Sequence, residues 1–293
     1  MRLIPCMLAA IILCLSPKAL PAEEDAKKLS LDNTFFAFDN GPGFGKLPLE
    51  ERMQTLKDLG YAGVGHTGSG NIPETLKALD KVGLEMNSIY VWCKISPEGP
   101  KIDPGLEKAI EQLKGRNTVV WLIVLGKAEG IDDARGQAAK VVGDIGKMAK
   151  AGGLQVVLYP HLHFYVDTAE DALQVAKDVD MDNVGVSINL CHRLKIDGEE
   201  NMEETIKNAM PYLRMVSING ADGGDTKAMG WNKLIQRLDR GSYDTYGFVK
   251  TLLKHGYKGP IGLQCYNVAG DPKENLAGSM DAWKKFAKKI AAE

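Results

Sequence analysis

Along the chain, short apolar runs rich in β-branched and aromatic residues alternate with longer stretches in which apolar residues return every three to four positions. The first pattern suits a strand buried on both faces and the second an amphipathic helix, so the alternation predicts βα units around a parallel sheet. Eight units are legible, with strands expected at Phe35–Asp39, Ala62–His66, Glu85–Val91, Thr118–Leu125, Gln155–His161, Val184–Leu190, Arg214–Asn219 and Pro260–Tyr266. One helix is expected over Leu49–Leu59, where Met53, Leu56 and Leu59 share a face. Another is expected over Thr168–Val179, which stacks Ala172, Leu173, Ala176 and Val179. Gly60-Tyr61 and Gly256-Tyr257 read as helix ends just ahead of strands, because glycine takes the positive φ of a C-cap without steric cost. Asp167-Thr168-Ala169-Glu170 reads as a helix start with Asp or Thr as the cap.

The alternation runs through residues 33–293 without a composition break, a low-complexity segment or a long repeat, which predicts a single domain. Eight βα units in about 260 residues match a (β/α)8 TIM barrel. The alternative, an open doubly wound sheet, lacks its usual phosphate loop: no GxGxxG follows the first strand and no GxxxxGK[ST] occurs anywhere.

Ahead of this domain, Arg2 precedes an apolar run from Leu3 to Leu15, and Ala19-Leu20-Pro21-Ala22 then offers small residues before Glu23-Glu24-Asp25. Residues 1–22 therefore read as a secretory signal peptide cleaved after Ala22, with 23–32 as a polar lead-in and an exported, periplasmic or secreted product. The apolar run is shorter than the roughly 20 residues of a membrane helix, so no stable membrane insertion is expected. Leu13 before Cys14 disfavours a lipoprotein reading.

Charge narrows the partners: 36 basic against 38 acidic residues give a net charge of −2. Loss of Arg2 and Lys18 with the leader leaves 34 against 38, or −4. The only lysine cluster is Lys284-Lys285 with Lys288-Lys289 in a C-terminal helical stretch, so attraction to nucleic acid is not expected. Of five cysteines, Cys6 and Cys14 leave with the leader; Cys93, Cys191 and Cys265 allow one disulfide and require none. The absence of a CxxC pair argues against a thiolate zinc site.

In a barrel, chemistry collects where strands finish, and here those ends are polar. They read Asp39-Asn40, His66, Tyr159-Pro160-His161, Asn189-Leu190-Cys191-His192, Asn219-Gly220-Ala221-Asp222 and Gln264-Cys265-Tyr266-Asn267. One polar strand end can simply bond loop backbone; six together predict a hydrogen-bonding pocket. His163 and His255 fall outside the strand ends and read as surface side chains.

The order Gly60-Tyr61-Ala62-Gly63-Val64, Val166-Asp167-Thr168-Ala169-Glu170-Asp171-Ala172, Asn183-Val184-Gly185-Val186 and Asn189-x-x-His192 resembles the xylose-isomerase-like sugar phosphate isomerase/epimerase superfamily. Asn219-Gly220-Ala221-Asp222, Leu238-Asp239-Arg240-Gly241-Ser242-Tyr243-Asp244 and Gly256-Tyr257-Lys258-Gly259-Pro260-Ile261-Gly262-Leu263 extend the resemblance over essentially the whole mature chain. The resemblance implies a TIM barrel holding a divalent metal through Glu, Asp, His and Glu on the last four strands. This sequence departs at all four, with Tyr159, Asn189, Asn219 and Gln264 in their places, while the companions His161, His192 and Asp222 remain.

Mn²⁺ and Mg²⁺ favour anionic oxygen, so no metal and no other cofactor is expected; a softer ion held by His66, His161 and His192 is the alternative. The resemblance then implies carbohydrate chemistry run by imidazole, which titrates near neutrality: His161 and His192 as acid and base, Asp222 orienting or charge-stabilising one of them. Asp39, His66, Tyr159, Asn189, Asn219 and Gln264 are the expected substrate contacts, the amides offering both donors and acceptors to hydroxyls. Trp92, Trp121 or Trp231 could face a sugar ring. The expected reaction is proton transfer beside a carbonyl, or elimination, on a small carbohydrate, a 3-keto sugar being attractive because its neighbouring C–H is acidic. Arg193, Arg237 and Arg240 are too scattered for a phosphate motif. A non-catalytic carbohydrate-binding barrel is the second reading. A DNA-repair endonuclease on the same scaffold would need a metal cluster and a basic groove, and neither is evident.

Overall fold

The computed structural model describes residues 28–41 and 44–293; the expected leader and residues 23–27 of the lead-in lie outside the described residues. Eight parallel strands form the ring: β1 (Phe35–Phe38), β2 (Gly63–Thr67), β3 (Glu85–Lys94), β4 (Val119–Leu125), β5 (Gln155–Leu158), β6 (Val184–Asn189), β7 (Leu213–Ile218) and β8 (Ile261–Leu263). Each pairs with the next and β8 returns to β1, so the sheet closes into a (β/α)8 TIM barrel. Outside the ring, a two-residue strand at Lys101–Ile102 pairs antiparallel with the end of β3. Among the described residues no helix is long and apolar enough to cross a membrane.

Period-two alternation divides the buried residues between two cores. Phe35 and Ala37 on β1, Val120, Leu122 and Val124 on β4, and Val186 and Ile188 on β6 pack outward against the helices. Phe36, Phe38, Trp121, Ile123, Val157, Tyr159 and Met215 point into the ring. So many rings fit because glycine faces them: a Cβ on Gly65 would come within 2.3 Å of the Phe38 ring, and one on Gly262 within 2.6 Å. Large side chains on β1, β4 and β5 are thus accommodated by missing ones on β2 and β8.

The expected strands appear in order, and β4 ends at Leu125 as expected, but the C-terminal ends of the others differ. β1, β5 and β8 stop at Phe38, Leu158 and Leu263, short of the expected Asp39, His161 and Tyr266. The next residue keeps only one inter-strand bond in each case: Asp39 N to Gly65 O (3.0 Å), Tyr159 N to Leu122 O (2.8 Å) and Gln264 N to Ile218 O (2.8 Å). Beyond these bonds the backbone leaves the ladder and is free to aim side chains over the barrel mouth. β3 runs on to Lys94 because β4 and the Lys101–Ile102 strand pair with it there.

Among the helices, α1 spans Leu49–Leu59 as expected and ends at Gly60 with φ +93°. α2 (Ile72–Val82), α3 (Leu106–Gln112) and α4 (Ala134–Ala151) follow β2, β3 and β4. α5 spans Ala169–Val179, and Thr168 lies just outside it as the cap. Thr168 Oγ1 accepts from Asp171 N while Asp171 Oδ2 accepts from Thr168 N, a reciprocal capping box. α6 (Leu190–Asp197) starts directly from β6, so Leu190 opens a helix where a strand residue was expected. α7 (Met202–Ala209), the one-turn α8 (Trp231–Leu234), α9 (Thr245–Lys254) and α10 (Pro272–Ala292) complete the outer layer.

Candidate active site

A cavity of about 430 Å³ opens at the C-terminal mouth of the barrel, where the polar strand ends converge. Its floor is aromatic. Trp121 and Tyr159 stack with ring centroids 3.9 Å apart and planes 7° from parallel, and Phe38 covers the other side of Trp121 at 4.6 Å. The buried indole N–H donates to Ser187 Oγ, which in turn donates to Leu158 O, each at 2.9 Å. Tyr90 meets both rings edge-on. Trp231 stands on the wall with its ring 5.0 Å from that of His192, whereas Trp92 packs against the interior cluster without lining the cavity. None of the described lining residues is Asp, Glu, Lys or Arg.

His161 and His192 meet on the wall, ring centroids 4.0 Å apart. His161 lies just past β5, stacked on Phe164 at 4.1 Å, and its backbone N–H donates to Val166 O. His192 occupies the first turn of α6, within reach because that helix begins without a loop. Both rings bind the backbone of Leu162: His161 Nδ1 lies 3.0 Å from Leu162 O, and Leu162 N donates to His192 Nδ1 at 3.3 Å. Burial holds His192 well below the ordinary imidazole value, with His161 adding to the effect. His161 is also lowered by burial, only partly offset by its bond to the Leu162 carbonyl. Both rings are therefore uncharged at neutral pH.

The other expected residues divide sharply. Gln264 lines the cavity, its Oε1 accepting from Asn40 Nδ2 (2.6 Å) and Tyr266 N (3.1 Å), while Tyr159 supplies the floor. Asn189 and Asn219 do not line it. Asn189 is buried against α6, where its Oδ1 accepts from the Cys191 thiol at 2.9 Å. Asn219 is wholly buried, donating to Gly220 O and Leu234 O at 2.8 and 2.6 Å, and so fastens the end of β7 to α8. Asp222, expected to support a histidine, pairs instead with Lys233 at 3.0 Å outside the cavity. Conversely His163, expected at the surface, is exposed and lines the mouth, while His255 meets Glu203 Oε1 elsewhere. Tyr90, Asn40, Thr67 and Leu162 are lining residues absent from the expected contacts. Of these, Tyr90 had a signal: it alternates inward on β3 between outward Ile89 and Val91.

Asp39 and His66, expected as substrate contacts, pair with each other beside the mouth, and neither is among the cavity's lining residues. His66 Nδ1 lies 3.1 Å from Asp39 Oδ2 and its Nε2 lies 2.8 Å from Gly70 O, so both ring nitrogens face acceptors. Burial opposes the charge on His66, but the Asp39 hydrogen bond and charge outweigh it and raise its pKa. Asp39 is likewise penalised by burial yet lowered overall by bonds from His66 and Thr67. A raised histidine stabilises the fold fully below its unfolded value of 6.5, and that contribution is lost as pH rises through the raised folded value. The lowered Asp39 contributes above 3.8 and loses this as pH falls through its depressed value. His192 acts oppositely to His66, weakening the fold as pH falls below 6.5 toward its depressed value. His66→Gln should therefore cost about 1.5–3 kcal/mol below neutrality and progressively less at alkaline pH, measured by urea unfolding across a pH series. A cost independent of pH would show that His66 carries no charge.

The profile of one protein family, described as "Xylose isomerase-like TIM barrel", matches residues 70–286. The chain belongs to this family. Solved xylose isomerase-like barrels superpose on most of it. A 3-keto-D-glucoside 4-epimerase from E. coli matches with a TM-score of 0.66 and 16% identity, over 87% of this chain and 99% of its own. D-psicose 3-epimerase from Clostridium cellulolyticum H10, solved with D-tagatose, gives 0.66 and 14%, over 88% and 99%. A xylose isomerase-like TIM barrel protein from Mycobacterium smegmatis, in complex with magnesium, gives 0.60 and 18%, over 91% and 98%. At these identities the likeness shows the fold alone. No curated protein matches the sequence significantly.

The divalent metal implied by the family resemblance does not suit the residues at the four ligand positions. Burial drives the Tyr159 phenol well above its ordinary pKa, so it is no phenolate, and its ring is committed to the Trp121 stack. Asn189 Oδ1 and Gln264 Oε1 already accept hydrogen bonds, and Asn219, whose Nδ2 is tied to backbone, offers only a neutral, fully buried amide oxygen beneath the loops, outside the cavity lining. No anionic oxygen remains for a hard cation. The softer alternative also fails to assemble: His66 is engaged by Asp39 and Gly70, and among the described residues no three His, Cys, Asp or Glu side chains converge to hold an ion.

Proposed function

We propose that this protein is an exported enzyme of the sugar isomerase/epimerase type, moving a proton at a carbon next to the carbonyl of a neutral keto sugar. His161 and His192 handle that proton without the family's divalent metal. The observation that carries this reading is the pair of imidazoles, ring centroids 4.0 Å apart, on the wall of an aromatic-floored cavity with no Asp, Glu, Lys or Arg among its described lining residues. Aromatic surface suits the C–H face of a sugar, and neutral donors and acceptors suit its hydroxyls. A phosphorylated sugar would meet no Lys or Arg among the described lining residues. Arg193 is committed to Gly198 O and Glu200 O, and Arg237 to Asp239. Hydrogen-bond donors of this kind are worth roughly 3 kcal/mol each toward an enolate. A C–H already acidified by a ketone lowers the demand, which favours 3-keto sugars, the class named for the E. coli neighbour.

The test is solvent exchange. Wild-type protein in D2O should wash deuterium into the carbon beside the carbonyl of a 3-keto glucoside, followed by proton NMR, and do so at least about tenfold faster than for a ketose phosphate. Protein recovered from the exported fraction should begin at Glu23. Exchange restricted to phosphorylated sugars, or exchange that needs added Mn²⁺ and is lost on chelation, would overturn the proposal. A binding-only barrel is the second reading, favoured by one feature: among the described residues no carboxylate lines the cavity to raise the basicity of either histidine. Saturable binding of keto sugars with no exchange in any of them would establish it instead.

A further inference from the structure

The Leu162 backbone touches both rings with opposite polarity. A carbonyl oxygen can only accept, so His161 Nδ1, 3.0 Å from Leu162 O, must carry a hydrogen. An amide N–H can only donate, so His192 Nδ1, 3.3 Å from Leu162 N, must be bare. A neutral imidazole has one N–H, which leaves His161 Nε2 with a lone pair and His192 Nε2 with a hydrogen. Neither Nε2 has a hydrogen-bond partner among the described residues, and both rings line the cavity. We infer that Leu162, acting solely through its main chain, locks the two histidines in opposite tautomers, making His161 the base and His192 the donor to the substrate's carbonyl oxygen.

The tautomer assignment rests on the two Leu162 contacts together with the burial that keeps His161 neutral; the roles rest in addition on the proposed function. In the step itself, the lone pair on His161 Nε2 takes the proton from the carbon beside the carbonyl. The C–H pair becomes the new C=C bond and the carbonyl π pair moves onto oxygen. His192 Nε2–H hydrogen-bonds that oxygen without giving up its proton, so the products are an enolate and the His161 imidazolium, and charge balances. Return of the proton from His161 to carbon restores the neutral ring. A residue identity at position 162 is not required, only a backbone N–H and C=O at the right places, which is why no side-chain pattern reveals it.

Histidine-selective ¹⁵N labelling of the full chain tests the lock directly, resonances being assigned by their loss in His161→Gln and His192→Gln. At neutral pH the His161 Nδ1 and the His192 Nε2 should show N–H-type shifts, with bare-nitrogen shifts at the other two positions. The same tautomer in both rings, or fast averaging in either, would overturn the lock. In D2O exchange with a keto sugar, His161→Gln should lower kcat by about 10²–10⁴, as loss of a general base does, and His192→Gln by about 10²–10³. Exchange that survives in His161→Gln but not in His192→Gln would reverse the roles. Opposite tautomers in a protein that exchanges no sugar would uphold the lock and defeat the proposed function, so the two failures are distinguishable.

Discussion

The double variant His161→Gln/His192→Gln should lose exchange activity by about 10⁴-fold or more while its affinity for the same keto sugar stays within about tenfold. The asymmetry follows from where the rings stand. Ligand area comes chiefly from the floor, where Trp121, Tyr159 and Phe38 remain stacked whatever occupies the wall, and glutamine retains a donor and an acceptor for one hydroxyl. A lost neutral hydrogen bond costs about 1 kcal/mol, a factor under ten in affinity. Proton transfer has no such substitute, since an amide neither accepts a proton at neutral pH nor returns it. Isothermal titration beside deuterium exchange separates the outcomes. Undiminished exchange would move the chemistry away from these residues, and lost affinity with no activity in either protein would make them binding groups in a non-catalytic barrel.

Trp121→Ala should be the most damaging single change, lowering stability by about 3–5 kcal/mol. The indole is 2% exposed and packed on both faces, between Phe38 and Tyr159. The ring wall opposite cannot move in to fill the gap, because Gly65 and Gly262 have no side chains to contribute. Trp121→Phe is the control: it keeps a ring in the stack and loses the bond to Ser187 and the second ring of the indole, costing about 1–3 kcal/mol. Urea unfolding compares the pair, and an equal cost for both would show that the hydrogen bond rather than the stack holds the floor. Sugar affinity should fall with Trp121→Ala beyond the loss in the double histidine variant, since Tyr159 then lacks its support.

The pH behaviour ties site and scaffold together. Burial opposes the charge on both histidines, yet His66 beside Asp39 is raised while His192, against Trp231 and Tyr159, is lowered. The difference is one carboxylate, Asp39, brought to His66 by the pairing of β1 with β2. An enzyme that needs neutral His161 should therefore keep activity below the ordinary imidazole range, its acid limb displaced downward.

The barrel was legible in the order of residues because a strand covered on both faces must be apolar throughout and a covering helix only along one stripe, and these periods survive without knowledge of neighbours. Family kinship was legible too, since motifs such as Val166-Asp167-Thr168-Ala169-Glu170 carry a helix start and its cap together. Where each strand ends was not, because the last ladder bond depends on a partner far along the chain, as Tyr159 depends on Leu122. Nor does composition reveal which polar strand end faces the cavity. Asn189, Asn219 and Gln264 are chemically alike, yet the first is buried against the Cys191 thiol at the start of α6, the second against backbone at α8, and the third is left on the cavity wall. The convergence of His161 and His192 on one peptide segment was likewise decided only in three dimensions, because hydrogen-bond polarity belongs to the main chain, which every residue shares.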